Sequence, residues 1–192
     1  DGISYLTKDH DEVLTDVVQG IYVAIDQFSA PGEGVVVQTP VYPPFLISVR
    51  ELSRRLVESP LVAGDSRYEI DFDQLRAAID PTTRVFLLCN PQNPTGRVFE
   101  RRELEALAEI AIAHDLVVVA DEIHADLIYD GRRHIPFASL SPEVEARTLT
   151  LTSATKAFNI PGLRCAIAHF GSDALRKRFE RGPRHVRGGL GS

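Results

Sequence analysis

An amine, a hydroxyl and a guanidinium follow one apolar stretch of the chain. The run Ser153-Ala154-Thr155-Lys156 comes directly after residues 148–152, and Arg164 follows in the next segment. A lysine amine can bind an aldehyde as a Schiff base, and a hydroxyl with a guanidinium can bind a phosphate group. Together these groups suit pyridoxal 5′-phosphate, and Lys156 is the candidate attachment site. A lysine after a strand is more often a solvated surface charge, so other motifs must decide.

Composition indicates one globular α/β domain and disfavours a nucleic-acid partner. The chain has 192 residues, 44% of them hydrophobic, with 27 acidic and 21 basic side chains. A net charge of −6 gives no basic stripe for phosphate neutralisation, and we expect the basic patch at residues 176–187 to be an exposed helix end. Cys89 and Cys165 lie in apolar runs without a metal-ligand spacing, which predicts buried free thiols.

The sequence predicts a cytoplasmic protein that is not inserted in a membrane. No apolar run approaches the roughly 20 residues of a membrane span. Residues 1–4 also lack a charged segment followed by an apolar one, so we expect no secretory leader.

Helical and strand-like segments alternate along the chain. Apolar residues at helical spacing predict helices at residues 17–28, 42–52, 72–79 and 102–114. Short apolar runs predict strands at residues 35–38, 55–58, 85–89, 117–120, 148–152 and 164–170. This alternation predicts a mostly parallel sheet with helices on both faces, in one domain over residues 1–192.

Four polar motifs each follow a predicted strand. Tyr42, Asn93, Asp121 and Lys156 come after the strands that end near residues 38, 89, 120 and 152. Open parallel sheets bind ligands outside the carboxyl ends of their strands, so the four loops should converge on one crevice.

Asn93 and Asp121 suit two further tasks in that crevice. The run Asn90-Pro91-Gln92-Asn93-Pro94-Thr95-Gly96 restricts its own backbone and would fix the Asn93 amide, although a bare Asn-Pro pair indicates only a tight turn. A carboxylate at Asp121 would keep a pyridine nitrogen protonated, so that the ring accepts electrons. Alone, Asp121 would more commonly be a helix cap.

Tyr42 and the start of the first helix complete the candidate set. Tyr42 stands between prolines and could stack on a flat heterocycle, or pack in a turn. The backbone amides of Val17 and Val18 could bind a phosphate, although every helix offers such an amino end.

These segments resemble the fold-type I pyridoxal phosphate enzymes of the aminotransferase class I and II superfamily. Residues 39–45 (TPVYPPF), 121–127 (DEIHADL) and 134–137 (HIPF) are most similar to its cystathionine β-lyase-like branch, the cysteine-S-conjugate β-lyases. The resemblance extends from about residue 15 to the end of the chain. It implies the large cofactor-binding domain of that fold, and a homodimer with the cofactor site near the subunit interface.

The resemblance also implies a role for each candidate residue. Lys156 would be the Schiff-base lysine, Asp121 would pair with the pyridine nitrogen, and Tyr42 would stack on the ring; these three are the catalytic candidates. Asn93 would bind the phenolic oxygen, and His124 stands where many relatives carry a tyrosine with the same duty. Ser153, Arg164 and the amides of Val17 and Val18 would hold the phosphate.

The chain departs from the family in length. Members are considerably longer, so we expect the amino-terminal segment and the carboxyl-terminal small domain to be absent from residues 1–192, along with the arginine that usually holds the substrate carboxylate. The hypothesis is a carbon-sulfur β-lyase that converts an amino-acid substrate into thiol, pyruvate and ammonia. Two alternatives stay open: an aminotransferase, and a non-catalytic regulatory domain of the same fold.

Overall fold

A computed structural model describes residues 10–129, 131–183 and 186. The prediction that there is no leader concerned residues 1–4, which lie outside the described residues. Residues 184, 185 and 187 of the basic patch also lie outside them. Three other residues of the patch, Arg176, Lys177 and Arg178, lie in the last turn of a helix, where positive charge interacts favourably with the helix dipole.

Strands and helices alternate through most of the described chain. The strands are β1 Asp11–Leu14, β2 Gly34–Thr39, β3 Arg55–Pro60, β4 Val62–Ala63, β5 Tyr68–Glu69, β6 Thr83–Cys89, β7 Val117–Asp121, β8 Thr148–Thr152 and β9 Ala166–Phe170. The helices are α1 Val17–Phe28, α2 Pro43–Glu51, α3 Phe72–Ala78, α4 Arg101–Ala113, α5 Pro142–Ala146, α6 Ala154–Ala157 and α7 Asp173–Phe179. Two short 3-10 helices cover Phe137–Leu140 and Pro161–Leu163.

Seven strands form one mixed, mostly parallel sheet in the order β1-β9-β8-β7-β6-β2-β3. Neighbours from β3 to β8 pair in parallel, whereas β9 is antiparallel to both β8 and β1. Strands β4 and β5 form a separate antiparallel pair. The mostly parallel sheet is confirmed; β1, β4 and β5 were not predicted.

Each face of the sheet is covered by helices, as predicted. On β6, Val85, Leu87 and Cys89 belong to the buried cluster that contains the apolar residues of α1, α2 and α7. Phe86 and Leu88 belong to the cluster formed with α3, α4 and α5. Because both faces are buried, the strand is apolar at successive positions rather than at alternate ones.

The start predicted for the last strand is wrong. The strand predicted at residues 164–170 begins only at Ala166, because Arg164 ends a 3-10 helix with φ +40°, in the left-handed region. Cys165 therefore precedes the strand and is half-buried, whereas Cys89 is buried; both are free thiols. Because β9 runs antiparallel to β8, its first residues lie beside the last residues of β8. Arg164 is thus brought back to the edge where Ser153 and Lys156 lie.

The helices of the described residues give no membrane-spanning segment. None of them combines the length and the apolar character that a bilayer crossing requires.

Candidate active site

One cavity of about 430 Å³ opens at the carboxyl ends of the parallel strands. All nine residues predicted from the sequence line it: Val17, Val18, Tyr42, Asn93, Asp121, His124, Ser153, Lys156 and Arg164. They come from six separate segments of the chain, and the sheet topology brings them together. Their places in the structure are thus established, while their individual roles stay predictions.

Lys156 is presented to the cavity by the four-residue helix α6. Ser153 caps this helix, because its hydroxyl oxygen accepts the backbone N–H of Thr155 at 3.1 Å. The turn places Lys156 just beyond the end of β8, with its side chain exposed and lining the cavity. A solvent-accessible amine in a concave site can be reached by an aldehyde.

Asp121 is the buried acid of the site. It is the last residue of β7, is 6% exposed, and its Oδ1 accepts the backbone N–H of Ile123 at 3.0 Å. A turn rather than a helix follows, so the helix-cap alternative is wrong. Burial raises the pKa of the Asp121 carboxyl to about 7, and the neighbouring Glu122 carboxylate adds to the rise, whereas the Ile123 N–H and the positive charge of Lys156 oppose it.

A second acid anchors the segment that follows Asp121. Glu122 is 4% exposed, and its Oε2 lies 2.7 Å from Nε2 of His134. Its Oε1 accepts the backbone N–H of Phe137 at 2.9 Å. This pair ties the end of β7 to the segment beyond it, and so supports the position of Asp121. The sequence alone indicates no role for Glu122 or His134.

The loops of Tyr42 and Asn93 support each other. The backbone N–H of Tyr42 donates to the carbonyl of Asn93 at 3.1 Å. The amide nitrogen of Gln92 donates to the carbonyl of Pro40, and its amide oxygen accepts the backbone N–H of Thr95 at 3.0 Å. Two loops that follow different strands thus form one wall of the cavity. Tyr42 is 44% exposed on that wall, so its ring is accessible to a ligand rather than packed in a core.

His124 is half-buried beside the amine. Burial lowers its pKa, and the positive charge of Lys156 lowers it further, while a backbone hydrogen bond with Pro91 has the opposite effect. The lowered pKa favours the neutral imidazole. A neutral imidazole can donate one hydrogen bond and accept another.

The predicted phosphate end lies between α1, Ser153 and Arg164. The N–H groups of Val17 and Val18 are at the first two helical positions, where they have no partner within the helix. The Ser153 hydroxyl lies 2.5 Å from the carbonyl oxygen of Cys165, to which it donates. Thr155 adds a second hydroxyl to the cavity wall. Thr155 was missed as a candidate, although it stands in the same polar run as Ser153.

Asp16 is another cavity residue that was not predicted from the sequence. Its Oδ1 accepts the backbone N–H of Gln19 at 2.8 Å, which makes Asp16 the cap of α1. Its Oδ2 lies 2.5 Å from Nη2 of Arg164. A carboxylate at a helix start is readily explained as a cap, and only the fold shows that it also reaches the arginine.

The donor set fits an elongated, planar cofactor with a phosphate at one end. Cationic and N–H donors lie at the α1 end, and a buried carboxyl lies on the floor at the end of β7. An amine and an exposed tyrosine ring lie along the walls. Such an arrangement can bind a phosphorylated heteroaromatic aldehyde and form a covalent bond to it.

The chain belongs to the aminotransferase class I and II family, which residues 6–186 match. This match, together with similar solved structures that contain pyridoxal 5′-phosphate, confirms the predicted fold and the family's use of this cofactor. The chain is similar to cystathionine β-lyase PatB of Bacillus subtilis, with 40% identity over 164 residues, covering 85% of the chain and 42% of the relative.

Two solved structures share this fold, although the names of the two proteins indicate different activities. Cystalysin of Treponema denticola, whose structure contains pyridoxal 5′-phosphate, is 33% identical with a TM-score of 0.92, covering 95% of this chain and 47% of that one. N-succinyldiaminopimelate aminotransferase of Mycobacterium tuberculosis is 32% identical with a TM-score of 0.91, covering 98% and 49%. The chain thus spans about half the length of the relatives it matches.

Proposed function

We propose that this chain is the cofactor-binding domain of a pyridoxal phosphate-dependent carbon-sulfur β-lyase that acts on cystathionine or another cysteine S-conjugate. The observation that carries the proposal is the single cavity in which Lys156 and the buried Asp121 lie together at the strand ends. The similarity to PatB supports the lyase assignment.

The cofactor would lie with its phosphate at α1 and its ring over Asp121. Arg164, the Ser153 and Thr155 hydroxyls and the amides of Val17 and Val18 would hold the phosphate. Tyr42 would stack on the ring, and Asn93 and His124 would bind its phenolic oxygen. When bound, this cofactor supplies an electron sink for the bond broken at the substrate Cα.

Asp121 would hold a proton on the pyridine nitrogen. In the protein alone burial raises the pKa of its carboxyl to about 7, so the charged form is disfavoured. A cationic ring nitrogen beside it would favour the carboxylate, because opposite charges stabilise each other strongly in a buried site. The buried carboxylate would thus stabilise the protonated form of the pyridine ring.

Lys156 would be both the attachment point and the base. Its Nζ, when not bonded to the cofactor, would accept the Cα proton of the substrate. The Cβ–S bond would then break, with its electron pair leaving on sulfur as a thiolate. Hydrolysis of the remaining three-carbon unit would give pyruvate and ammonia.

An aminotransferase is the second candidate. The similarity to N-succinyldiaminopimelate aminotransferase favours it, because the same cavity residues would serve both reactions up to loss of the Cα proton. After loss of the Cα proton, a lyase would break the Cβ–S bond, whereas an aminotransferase would deliver a proton to the cofactor. None of the described residues favours one of these outcomes over the other.

Incubation with cystathionine, with and without a keto acid, distinguishes the two activities. We expect thiol and pyruvate to appear in equal amounts, at a rate that the keto acid does not change. The Lys177→Ala variant, altered at an exposed position of α7 outside the cavity, should behave like the wild type. Turnover that needs the keto acid and releases no thiol would exclude the lyase.

We also propose a homodimer, formed over the surface beside Lys156. Phe158 and Leu163 follow the lysine and are 71% and 70% exposed. Contiguous exposed apolar patches mark protein interfaces, and we propose that these two side chains belong to such a patch. We expect the wild type to sediment as a dimer and Leu163→Glu as a monomer, while Val62→Glu, at an exposed residue of β4, stays dimeric. A monomeric wild type at micromolar concentration would refute this assignment.

A further inference from the structure

The Asp16 carboxylate lies among the groups that the proposed function assigns to the phosphate. It caps α1 through the Gln19 N–H at 2.8 Å, and it contacts the Arg164 guanidinium at 2.5 Å. A helix amino end and a guanidinium are both groups that attract anions. Asp16 therefore already engages two of the features that a phosphate group would use.

Arg164 reaches Asp16 from an unusual backbone conformation. Its φ is +40°, in the left-handed region that residues with a Cβ rarely adopt. Its side chain is 65% exposed, so little packing holds it in place. The ion pair to Asp16 joins the segment before β9 to α1 across the end of the cavity. An unusual conformation at a ligand-facing position justifies a functional hypothesis.

A bound phosphate would have to share Arg164 with this carboxylate. The charged and titratable side chains that line the cavity are Asp16, Tyr42, Cys89, Asp121, His124, Lys156, Arg164 and Cys165. Of the two carboxylic acids, Asp16 is the one that contacts Arg164. A phosphate dianion placed on Arg164 and on the amides of Val17 and Val18 would therefore lie close to a like charge.

We propose that Asp16 is a positioning residue that limits the affinity of the phosphate site. Its carboxylate holds the Arg164 guanidinium at the amino end of α1. The same carboxylate repels a bound phosphate and offsets part of the attraction that Arg164 provides. This inference rests on the proposed function, in which Arg164 and the α1 amides bind the phosphate of the cofactor.

The Asp16→Asn variant separates the cap from the charge. An asparagine oxygen can still accept the Gln19 N–H, so α1 keeps its cap. Removal of one nearby like charge at a partly exposed site should tighten phosphate binding about tenfold. Pyridoxal, which lacks the phosphate, should bind unchanged. Asp16→Ser, which also keeps a cap, serves as a second variant if the first does not fold.

The test is calorimetric titration of the cofactor-free chain with inorganic phosphate, pyridoxal 5′-phosphate and pyridoxal. Asp71→Asn is the matched control, because Asp71 caps α3 through the Gln74 N–H at 2.9 Å and lies outside the cavity. The Asp71→Asn substitution makes the same change in net charge and in the capping side chain as Asp16→Asn. Circular dichroism of each variant verifies that it is folded.

The expected result is tighter binding of both phosphate ligands by Asp16→Asn alone. Unchanged or weaker binding overturns the inference, as does equal tightening in Asp71→Asn, which would show a general charge effect. The Arg164→Gln variant distinguishes this failure from a failure of the proposed function. If Arg164→Gln weakens phosphate binding while Asp16→Asn does not tighten it, only the role of Asp16 is refuted. If Arg164→Gln leaves phosphate binding unchanged, the phosphate assignment itself is wrong.

Discussion

Replacing Lys156 with alanine is expected to abolish the absorbance band of the lysine-bound cofactor and to reduce turnover by at least about 10³-fold. The variant loses both the covalent attachment and the base that accepts the Cα proton. Because Lys156 is exposed, its removal leaves the core intact and the fold should persist. Absorbance after addition of pyridoxal 5′-phosphate measures attachment, and pyruvate release measures turnover.

The control for this prediction is Lys177→Ala. Lys177 is exposed on α7 and lies outside the cavity, so its variant should keep both the band and the activity. A Lys156→Ala protein that shows the band at wild-type strength would mean that another amine binds the aldehyde.

Asp121→Asn is expected to lower turnover by about 10³-fold, within the range seen when a group that controls protonation is removed. A neutral amide has nearly the same shape but cannot stabilise a proton on the pyridine nitrogen. Cofactor attachment through Lys156 should remain, so the absorbance band persists while pyruvate release falls. Turnover within tenfold of the wild type would show that the ring nitrogen does not depend on this carboxyl.

The same substitution should change how the stability of the cofactor-free protein depends on pH. The pKa of the Asp121 carboxyl is raised by burial from 3.8 to about 7, so between these values the folded state keeps a proton that the unfolded state has lost. Stability therefore falls as the pH rises through this window. At about 1.4 kcal/mol per pKa unit, the full loss is about 4 kcal/mol.

Urea unfolding of the cofactor-free protein at pH 5 and pH 8 measures the part of this loss that lies above pH 5, about 3 kcal/mol on the same scale. Asp121→Asn should lose less stability than the wild type between the two pH values. Asp73→Asn, which alters a fully exposed carboxylate at the start of α3, should follow the wild type. Equal losses in the wild type and Asp121→Asn would mean that Asp121 does not ionise in this window.

Much of the fold follows from sequence because apolar periodicity reports burial directly. The apolar run in β6 is continuous, as expected for a strand that is covered on both faces. Apolar residues in α1 and α4 recur at clear helical spacing. The antiparallel strands were harder to predict. Strand β1 has four residues with little burial signal, and the direction of β9 depends on the turn at residues 158–165, whose left-handed Arg164 leaves no pattern in the sequence.

The candidate site could be predicted because its residues follow strand ends. A parallel sheet brings such positions to one edge whatever their separation along the chain. Contacts across the site could not be predicted in the same way. Asp16 and Arg164 are far apart in sequence, and each has an adequate local explanation, as a helix cap and as a surface arginine. Their 2.5 Å contact depends on the antiparallel return of β9.

Borohydride reduction of the cofactor-loaded protein, followed by peptide mapping, tests the central claim most directly. The sequence contains three lysines, Lys8, Lys156 and Lys177, so the outcome is unambiguous. We expect the reduced pyridoxyl group on the peptide that contains Lys156 and on no other. An adduct confined to Lys8 or Lys177, or no adduct in protein that binds the cofactor, would contradict the assignment of the site.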